Sequence, residues 1–142
     1  MRLCDFPRKI KHYPILHSKK LNDWNEISKI VLSNSRSIRS WLIRKCLWRN
    51  FIFELNKENL KVERQKALPV IWKNKKINLG FRADLIVENK VILELKSVEK
   101  IALVHPKQLL TYLKVTNLKL GLLINFNEVL IKNGITRIVN NL

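Results

Sequence analysis

Short runs of Val, Ile and Leu between polar turns fill the second half of the chain and are typical of β-strands. Residues 81–87 and 91–96 are two such runs, and the polar segment 88–90 between them predicts a hairpin. Pro69 interrupts an earlier run, because proline is confined to the ends or edges of strands. That run predicts a strand at 61–68 which 70–72 are expected to resume, followed by a basic turn at 73–76. Further strands are predicted at 118–126, an apolar run expected to be buried on both faces, and at 135–139.

Apolar positions at helical spacing predict helices at 22–32, 41–57 and 105–115. Pro106 falls in the first turn of the last of these, where proline is tolerated. Candidate core positions lie along the middle helix: Leu42, Leu47, Phe51 and Leu55. The order helix, three strands, helix, strand predicts an α/β sandwich with a mixed central sheet flanked by helices.

The predicted hairpin carries Asp84 on its first strand and the triplet Glu94-Leu-Lys96 on its second. Strand side chains alternate between two faces, so Glu94 and Lys96 share a face. If residues 88–90 form a three-residue loop, the register sets Asp84 directly opposite Glu94, with Cβ atoms about 5 Å apart. A two-residue loop would pair Asp84 with Leu95 instead and scatter the site, so the arrangement depends on the register.

Two carboxylates this close repel each other unless a cation or a proton neutralises them. Oxygen ligands on a rigid sheet suit Mg²⁺, or Mn²⁺, and a lysine beside the metal can orient or deprotonate an attacking water. Asp84, Glu94 and Lys96 therefore predict metal-assisted hydrolysis of phosphodiester bonds. The alternative is that these side chains decorate the solvent face of a half-exposed hairpin, since residues 88–90 repeat the Glu-x-Lys pattern in the turn.

The 142-residue chain has 28 Lys and Arg against 11 Asp and Glu, which gives a net charge of +17. A single domain this basic is expected to bind a polyanion, with DNA favoured over RNA. A merely soluble or ribosome-associated basic protein is the alternative. Arg82 and His105 are candidate phosphate contacts, although a histidine such as His105 is also typical of a plain helix start. Residues 1–20 are basic and lack periodicity, which predicts a loosely ordered arm before a domain at 21–142.

Membrane insertion is not expected from this sequence. No apolar run approaches the length of a bilayer span, and the N-terminus has no apolar signal-peptide core. Cys4 and Cys46 lack metal-ligand spacing and predict free thiols. Free thiols are typical of a reducing compartment, so the expected location is the cytoplasm.

Gln108 and Tyr112 are four residues apart in the last predicted helix and share a helix face. The buried side of this helix is expected to be formed by leucines: Leu109, Leu110 and Leu113. The amide and the phenol are expected to hold a nucleic-acid phosphate or to orient Lys96. The alternative for this pair alone is a tyrosine hydroxyl at the core edge beside a solvated glutamine.

Together, these positions resemble the PD-(D/E)XK nuclease superfamily, in the branch that carries a Gln-x-x-x-Tyr motif. The matching residues are Asp84, Glu94-Leu-Lys96 and Gln108-Leu-Leu-Thr-Tyr112. The resemblance implies a restriction-endonuclease-like α-β-β-β-α-β core. It also implies a divalent-metal site at Asp84 and Glu94, with Lys96 as the third catalytic member.

More narrowly, the chain from about residue 22 onward resembles the small bacterial proteins of the GxxExxY family. The segments that carry this resemblance are 60–65, 80–84, 94–96, 108–113 and 121–126. The Gly-x-x-Glu-x-x-Tyr signature itself is altered, because counting back from Phe53 places it on Trp41, Arg44 and Leu47. In related nucleases a glutamate from this helix completes the metal site. An arginine cannot ligate Mg²⁺, and its charge opposes metal binding.

We hypothesise that the altered signature results from a one-base shift of the reading frame, through a pair of compensating indels or a sequencing error. Tryptophan has a single codon, TGG, so each tryptophan of this stretch becomes glycine one base over. Residues 39–49 can then spell Gly-Pro-Gly-Leu-Leu-Glu-Asn-Val-Tyr-Gly-Glu, which looks like the family's own sequence. The hypothesis is that residues 33–50 are translated out of frame, and the coding DNA decides it.

The sequence thus predicts a nuclease-like domain for metal-dependent phosphodiester hydrolysis of nucleic acid, impaired by the altered helix. The alternative is a catalytically inactive nucleic-acid-binding domain, or a decayed gene product, of the same fold. Intact Asp84, Glu94 and Lys96 favour the first interpretation, whereas Arg44 favours the others.

Overall fold

The structure is a computed structural model that describes Lys29, residues 44–77 and residues 80–141, without the side chains of residues 44–48, 50 and 72. The predicted arm at 1–20, the helix at 22–32 apart from the helical Lys29, and residues 41–43 lie outside this description.

The described residues form a helix, five consecutive strands, a second helix and two further strands separated by a 3₁₀ helix. These elements are α1 (Arg44–Lys57), β1 (Val62–Ala67), β2 (Val70–Trp72), β3 (Lys75–Ile77), β4 (Arg82–Val87), β5 (Val91–Lys96), α2 (Val104–Thr116), β6 (Leu120–Asn125), the 3₁₀ helix Ile131–Gly134 and β7 (Ile135–Val139). The strands predicted at 61–68, 118–126 and 135–139 and the helix predicted at 105–115 are confirmed. Neither α1 nor α2 is long and apolar enough to cross a membrane.

Five strands form one mixed sheet in the order β1-β4-β5-β6-β7. Strands β5 and β6 are parallel, and the other neighbours are antiparallel. A parallel pair requires a crossover connection, and α2 supplies it between β5 and β6. The predicted α/β class with a mixed central sheet is therefore confirmed, with helices as the flanking layers.

One face of the sheet is covered by α1. Phe51 and Leu55 of this helix are completely buried and belong to the same apolar cluster as Leu93 and Leu95 of β5. The ring of Phe51 meets that of Phe126 edge to face, with centroids 6.1 Å apart. Burial of Phe51 and Leu55 confirms these two predicted core positions of the helix.

The opposite face of the sheet is covered by α2. Leu109 and Leu113 are completely buried, as predicted, whereas Leu110 is only half-buried. Tyr112 differs from the expectation of a polar helix face, since it is 4% exposed and belongs to the apolar cluster. Its ring lies 5.8 Å from that of Phe81, so the aromatic body is buried while the hydroxyl keeps a polar partner.

Strand β6 is buried along its whole length, which confirms the prediction for this apolar run. Central strands next to a parallel partner are covered on both faces and are therefore apolar throughout. Asn125 at its end is the polar exception: its side chain accepts a hydrogen bond from the Val98 N–H at 3.0 Å and donates to the Val98 carbonyl at 2.8 Å. This pair fixes the segment that follows β5.

A small hairpin of β2 and β3 is inserted between β1 and β4. Residues 70–72 are extended, as expected, but they do not continue β1, because they pair with β3 in a separate two-stranded sheet. The predicted basic turn is also shorter than residues 73–76. Lys73 and Asn74 alone form the turn, with φ of 47° and 60°, while Lys75 and Lys76 already belong to β3. Positive φ at both central residues is the geometry of tight two-residue hairpin turns.

Candidate active site

The hairpin of β4 and β5 has the register that a three-residue loop predicts. Its pairs are Val87 with Val91, Ile86 with Ile92 and Leu85 with Leu93. The predicted register is therefore confirmed. One residue further along the same register, Asp84 lies opposite Glu94, just beyond the last regular pair of the two strands.

The turn of this hairpin is closed by two residues with left-handed backbone conformation. Glu88 and Asn89 have φ of 53° and 52°, and the Lys90 N–H donates to the Val87 carbonyl at 2.9 Å. Strand pairing resumes one residue later, between Val87 and Val91. The three-residue loop 88–90 thus sets the register of the site.

Asp84 lies in β4, between β1 and β5, and is half-buried. The backbone N–H of Leu95 donates to Asp84 Oδ2 at 2.8 Å, and the side-chain amide of Gln65 donates to Asp84 Oδ1 at 3.1 Å. A regular antiparallel ladder would offer the Leu95 N–H a backbone carbonyl instead of a carboxylate. The Asp84 side chain is therefore held against the end of β5 by donors from both neighbouring strands.

Glu94 lies on the α2 side of the sheet, because Leu93 and Leu95 on either side of it pack on the α1 side. Only 3% of Glu94 is exposed. Lys96 Nζ donates to Glu94 Oε1 at 2.7 Å, whereas Glu94 Oε2 is buried and has no hydrogen-bond partner among the described residues. Buried carboxylate oxygens without partners are rare, which makes Oε2 a candidate ligand atom.

Burial raises the pKa of Glu94 above its ordinary value, and the nearby charge of Asp84 raises it further. The hydrogen bond and the charge of Lys96 act in the opposite direction and lower the pKa, as does the backbone of Asp84. The pKa of Glu94 is raised on balance, so the neutral form of this carboxyl group is more favoured than in an ordinary glutamate. A cation bound beside both carboxylates would reverse this balance, since it favours the charged form of each acid.

Asp84 and Glu94 provide the type of ligand that Mg²⁺ and Mn²⁺ prefer, namely carboxylate oxygens. The described part of the chain contains no group of three or more His, Cys, Asp or Glu side chains that could hold a metal ion. Mg²⁺ commonly takes one or two carboxylates and completes its coordination with water and substrate phosphate. A pair of acids with an unpartnered buried oxygen therefore fits such an ion.

Gln108 and Tyr112 lie on the same face of α2, as their spacing predicted. Gln108 Nε2 donates to the Tyr112 hydroxyl at 2.6 Å. Within the described residues, the hydrogen bond of Lys96 goes to Glu94. The expected orientation of Lys96 by Gln108 and Tyr112 therefore stays a prediction.

The two candidate phosphate contacts differ in their surroundings. His105 lies in the first turn of α2, and its Nδ1 accepts a hydrogen bond from the Ala102 N–H at 3.2 Å. This bond stabilises the helix start and leaves Nε2 as the ring atom that can contact a phosphate. Arg82 is exposed at the first position of β4, two residues before Asp84 on the same strand. Phosphate contacts by either residue stay predictions.

Gln65 is the residue of the site to which the sequence assigned no role. It lies in a polar stretch of β1, residues 63–66, whose side chains give no alternation to interpret. Its position opposite Asp84 depends on the pairing of β1 with β4, and the intervening connection contains a hairpin of its own. Counting loop residues therefore could not have set this register, unlike that of β4 and β5.

A comparison with models of protein families finds the PD-(D/E)XK nuclease superfamily over residues 26–138. The match covers most of the chain and includes both acids and the lysine of the candidate site. Searches of curated proteins and of solved structures give no match.

Proposed function

Because the chain belongs to the PD-(D/E)XK nuclease superfamily, we propose that it is a nuclease-like domain for metal-dependent hydrolysis of phosphodiester bonds in nucleic acid. One observation carries the proposal: the buried Glu94 carboxylate pairs one oxygen with Lys96 and has no partner for the other among the described residues. A buried polar atom without a partner costs stability, so its retention fits a ligand atom.

In this proposal, Asp84 and Glu94 hold Mg²⁺ or Mn²⁺. When bound, such an ion stabilises negative charge on phosphate oxygens and lowers the pKa of water. Lys96 orients the attacking water or stabilises the charge that develops on the phosphate. The Lys96 ammonium, 2.7 Å from Glu94, supports this role because it lies within reach of whatever Glu94 binds.

Other side chains bind the nucleic acid rather than take part in the chemistry. Gln108 and Tyr112, joined at 2.6 Å, support the substrate or Lys96. Arg82, His105 and the exposed lysines contact phosphates, which makes binding strongly dependent on salt. The net charge of +17 supports a polyanionic substrate. We propose DNA in preference to RNA, and the cytoplasm as the compartment.

A second candidate function is favoured by the residue at the start of α1. Within the superfamily we assign the chain to the GxxExxY family, in which the position of Arg44 belongs to a glutamate. The described residues offer a pair of acids at the site and no third ligand. On this view the protein is a catalytically inactive nucleic-acid-binding domain, or a decayed gene product, of the same fold.

We propose the frame shift over residues 33–50 as the cause of this substitution. The stretch contains no Asp or Glu although the family places a glutamate within it, which supports a segment that was not selected for its sequence. The coding DNA is the test. Codons at 39–49 that spell the family-like peptide one base over support the shift, and any other peptide overturns it.

Cleavage of single- and double-stranded DNA by the purified protein, with Mg²⁺ or Mn²⁺ and with a chelator, tests the leading proposal. We expect Lys96→Ala to reduce metal-dependent cleavage at least about 100-fold, the range of a lost acid–base or water-orienting group. DNA affinity should stay nearly unchanged. Lys90→Ala is the matched control, because Lys90 ends the other Glu-x-Lys triplet. Equal cleavage by Lys96→Ala and the parent would overturn the catalytic assignment.

The variant Arg44→Glu separates the two candidate functions. If the altered helix limits activity, the restored glutamate raises metal-dependent cleavage above that of the parent, because the family resemblance assigns a ligand carboxylate to this position and an arginine cannot ligate Mg²⁺. If neither the parent nor Arg44→Glu cleaves, while both bind DNA with the same affinity with and without metal, the inactive binding domain is supported. Failure of the parent to unfold cooperatively supports the decayed gene product.

A further inference from the structure

Gln65 has an unusual backbone for a residue within a strand. Its φ is 46°, and in the part of the chain that the structure describes it is the non-glycine residue with positive φ that lies inside a strand rather than in a turn or at an end. A left-handed conformation costs a non-glycine residue about 1–2 kcal/mol. Such conformations persist where the surroundings enforce them, and they concentrate at functional sites.

The strained residue lies opposite Asp84. In the pairing of β1 with β4, Arg64 lies opposite Leu85 and Lys66 lies opposite Ala83. The register therefore sets Gln65 opposite Asp84, although these two residues do not form a regular pair. The interruption of the ladder and the positive φ therefore occur at the same point. At this point the Gln65 amide reaches Asp84 Oδ1 at 3.1 Å.

The two oxygens of Asp84 are each held by a donor from a different strand. Gln65 Nε2 donates to Oδ1, and the Leu95 N–H donates to Oδ2 at 2.8 Å. Each oxygen of an ionised carboxylate has two acceptor positions, so one such bond still allows that oxygen to ligate a cation. The two bonds together oppose rotation of the carboxylate about its own axis.

We propose that Gln65 is a positioning residue, whose left-handed backbone allows its amide to fix the Asp84 carboxylate in the orientation that binds the divalent cation. The inference rests on the proposed function, because the cation is the one held by Asp84 and Glu94. A neutral amide suits this role, since it donates a hydrogen bond without adding a charge that competes with the cation. Partners of this kind change metal affinity about 10–100-fold when they are removed.

The test is calorimetric titration of the metal-free protein with Mn²⁺ alone, comparing the parent with Gln65→Gly. Glycine adopts positive φ without strain, so this variant removes the amide while keeping the backbone. We expect a loss of Mn²⁺ affinity of about 10–100-fold, together with a melting temperature, without metal, that is equal to or above that of the parent.

Asn74→Gly is the matched control. Asn74 also has positive φ, 60°, and is exposed in the turn of the β2–β3 hairpin, so the same exchange is made away from Asp84. Its Mn²⁺ affinity should equal that of the parent. Gln65→Asn is a second variant in case glycine loosens β1, because asparagine tolerates this backbone but its amide is one methylene too short. It should lose affinity as Gln65→Gly does.

The outcomes separate this inference from the function on which it rests. A parent that binds Mn²⁺ with the same affinity as Gln65→Gly and Gln65→Asn overturns the role of Gln65 and leaves the proposed site standing. Absence of Mn²⁺ binding in the parent overturns both. Loss of affinity in both Gln65 variants, with the Asn74→Gly control unchanged, supports the inference.

Discussion

Two Glu-x-Lys triplets lie on the same hairpin, and their surroundings differ completely. In the turn, Glu88 is tied to the backbone of Lys61: its side chain accepts a hydrogen bond from the Lys61 N–H, and its own N–H donates to the Lys61 carbonyl at 2.8 Å. In β5, Glu94 is 3% exposed and has a buried oxygen without a partner among the described residues. The same residue type thus stabilises a turn in one place and forms a candidate ligand site in the other.

The difference comes from what surrounds each triplet rather than from the triplet itself. The second copy follows a buried apolar strand, contains Leu95 in its middle and lies level with Asp84 on the partner strand. The first copy has the exposed Asn89 in its middle. A Glu-x-Lys pattern therefore indicates chemistry only where the strand is buried and an opposing acid is in register.

Substitutions of the middle residues of the two triplets should differ most in their effect on the stability of the protein. Leu95 is 3% exposed and packs in the apolar cluster under α1, so Leu95→Ala should cost about 2–5 kcal/mol of unfolding free energy. Asn89→Gly should change it by less than about 0.5 kcal/mol, because the site is exposed and glycine accepts positive φ. Urea unfolding measures both values. A similar cost at the two positions would mean that the second triplet is not buried as described.

The acids of the two triplets should differ in metal-linked stability. A ligand at about 100 times its Kd stabilises a protein by about 2.7 kcal/mol. Mn²⁺ at that level should raise the melting temperature of the parent and of Glu88→Gln, but not that of Glu94→Gln. Scanning calorimetry with and without Mn²⁺ gives this difference within each variant. An equal rise in the melting temperature of Glu94→Gln would mean that Mn²⁺ binds at another site.

The smallest expected effect concerns the structural role of the first triplet. Glu88→Ala should cost about 1 kcal/mol of unfolding free energy, the net value of one hydrogen bond, because the Lys61 N–H loses its side-chain acceptor. Glu88→Gln retains an oxygen that can accept this bond and should cost less than about 0.5 kcal/mol. Mn²⁺ affinity should be unchanged in both. A change in Mn²⁺ affinity in either Glu88 variant would mean that the turn contributes to the metal site.

Parts of the fold that depend on local rules could be predicted from the sequence. The register of β4 and β5 followed from the length of the loop, and burial of β6 on both faces followed from its unbroken apolar run. The spacing of Gln108 and Tyr112 likewise predicted a shared helix face, and they are hydrogen-bonded to each other.

Features that depend on long-range pairing could not be predicted in the same way. The contact of Gln65 with Asp84 requires the pairing of β1 with β4, which is set after the β2–β3 hairpin has formed. Burial of Tyr112 depends on Phe81 from another element, so helix spacing alone indicated a polar face. The bond of His105 Nδ1 to the Ala102 N–H reflects the path of the chain into α2, which the sequence does not specify.

The sharpest test of a metal site at Asp84 and Glu94 is direct titration of the metal-free protein with Mn²⁺, comparing the parent with Asp84→Asn. Asparagine keeps the size of the side chain and can still accept the hydrogen bond of Leu95, but it removes the charge that opposes Glu94 across the hairpin. The parent should bind Mn²⁺ stoichiometrically, and Asp84→Asn should bind it at least about 10-fold more weakly. Equal affinity in the two proteins, or no binding in the parent, would contradict a metal site at Asp84 and Glu94.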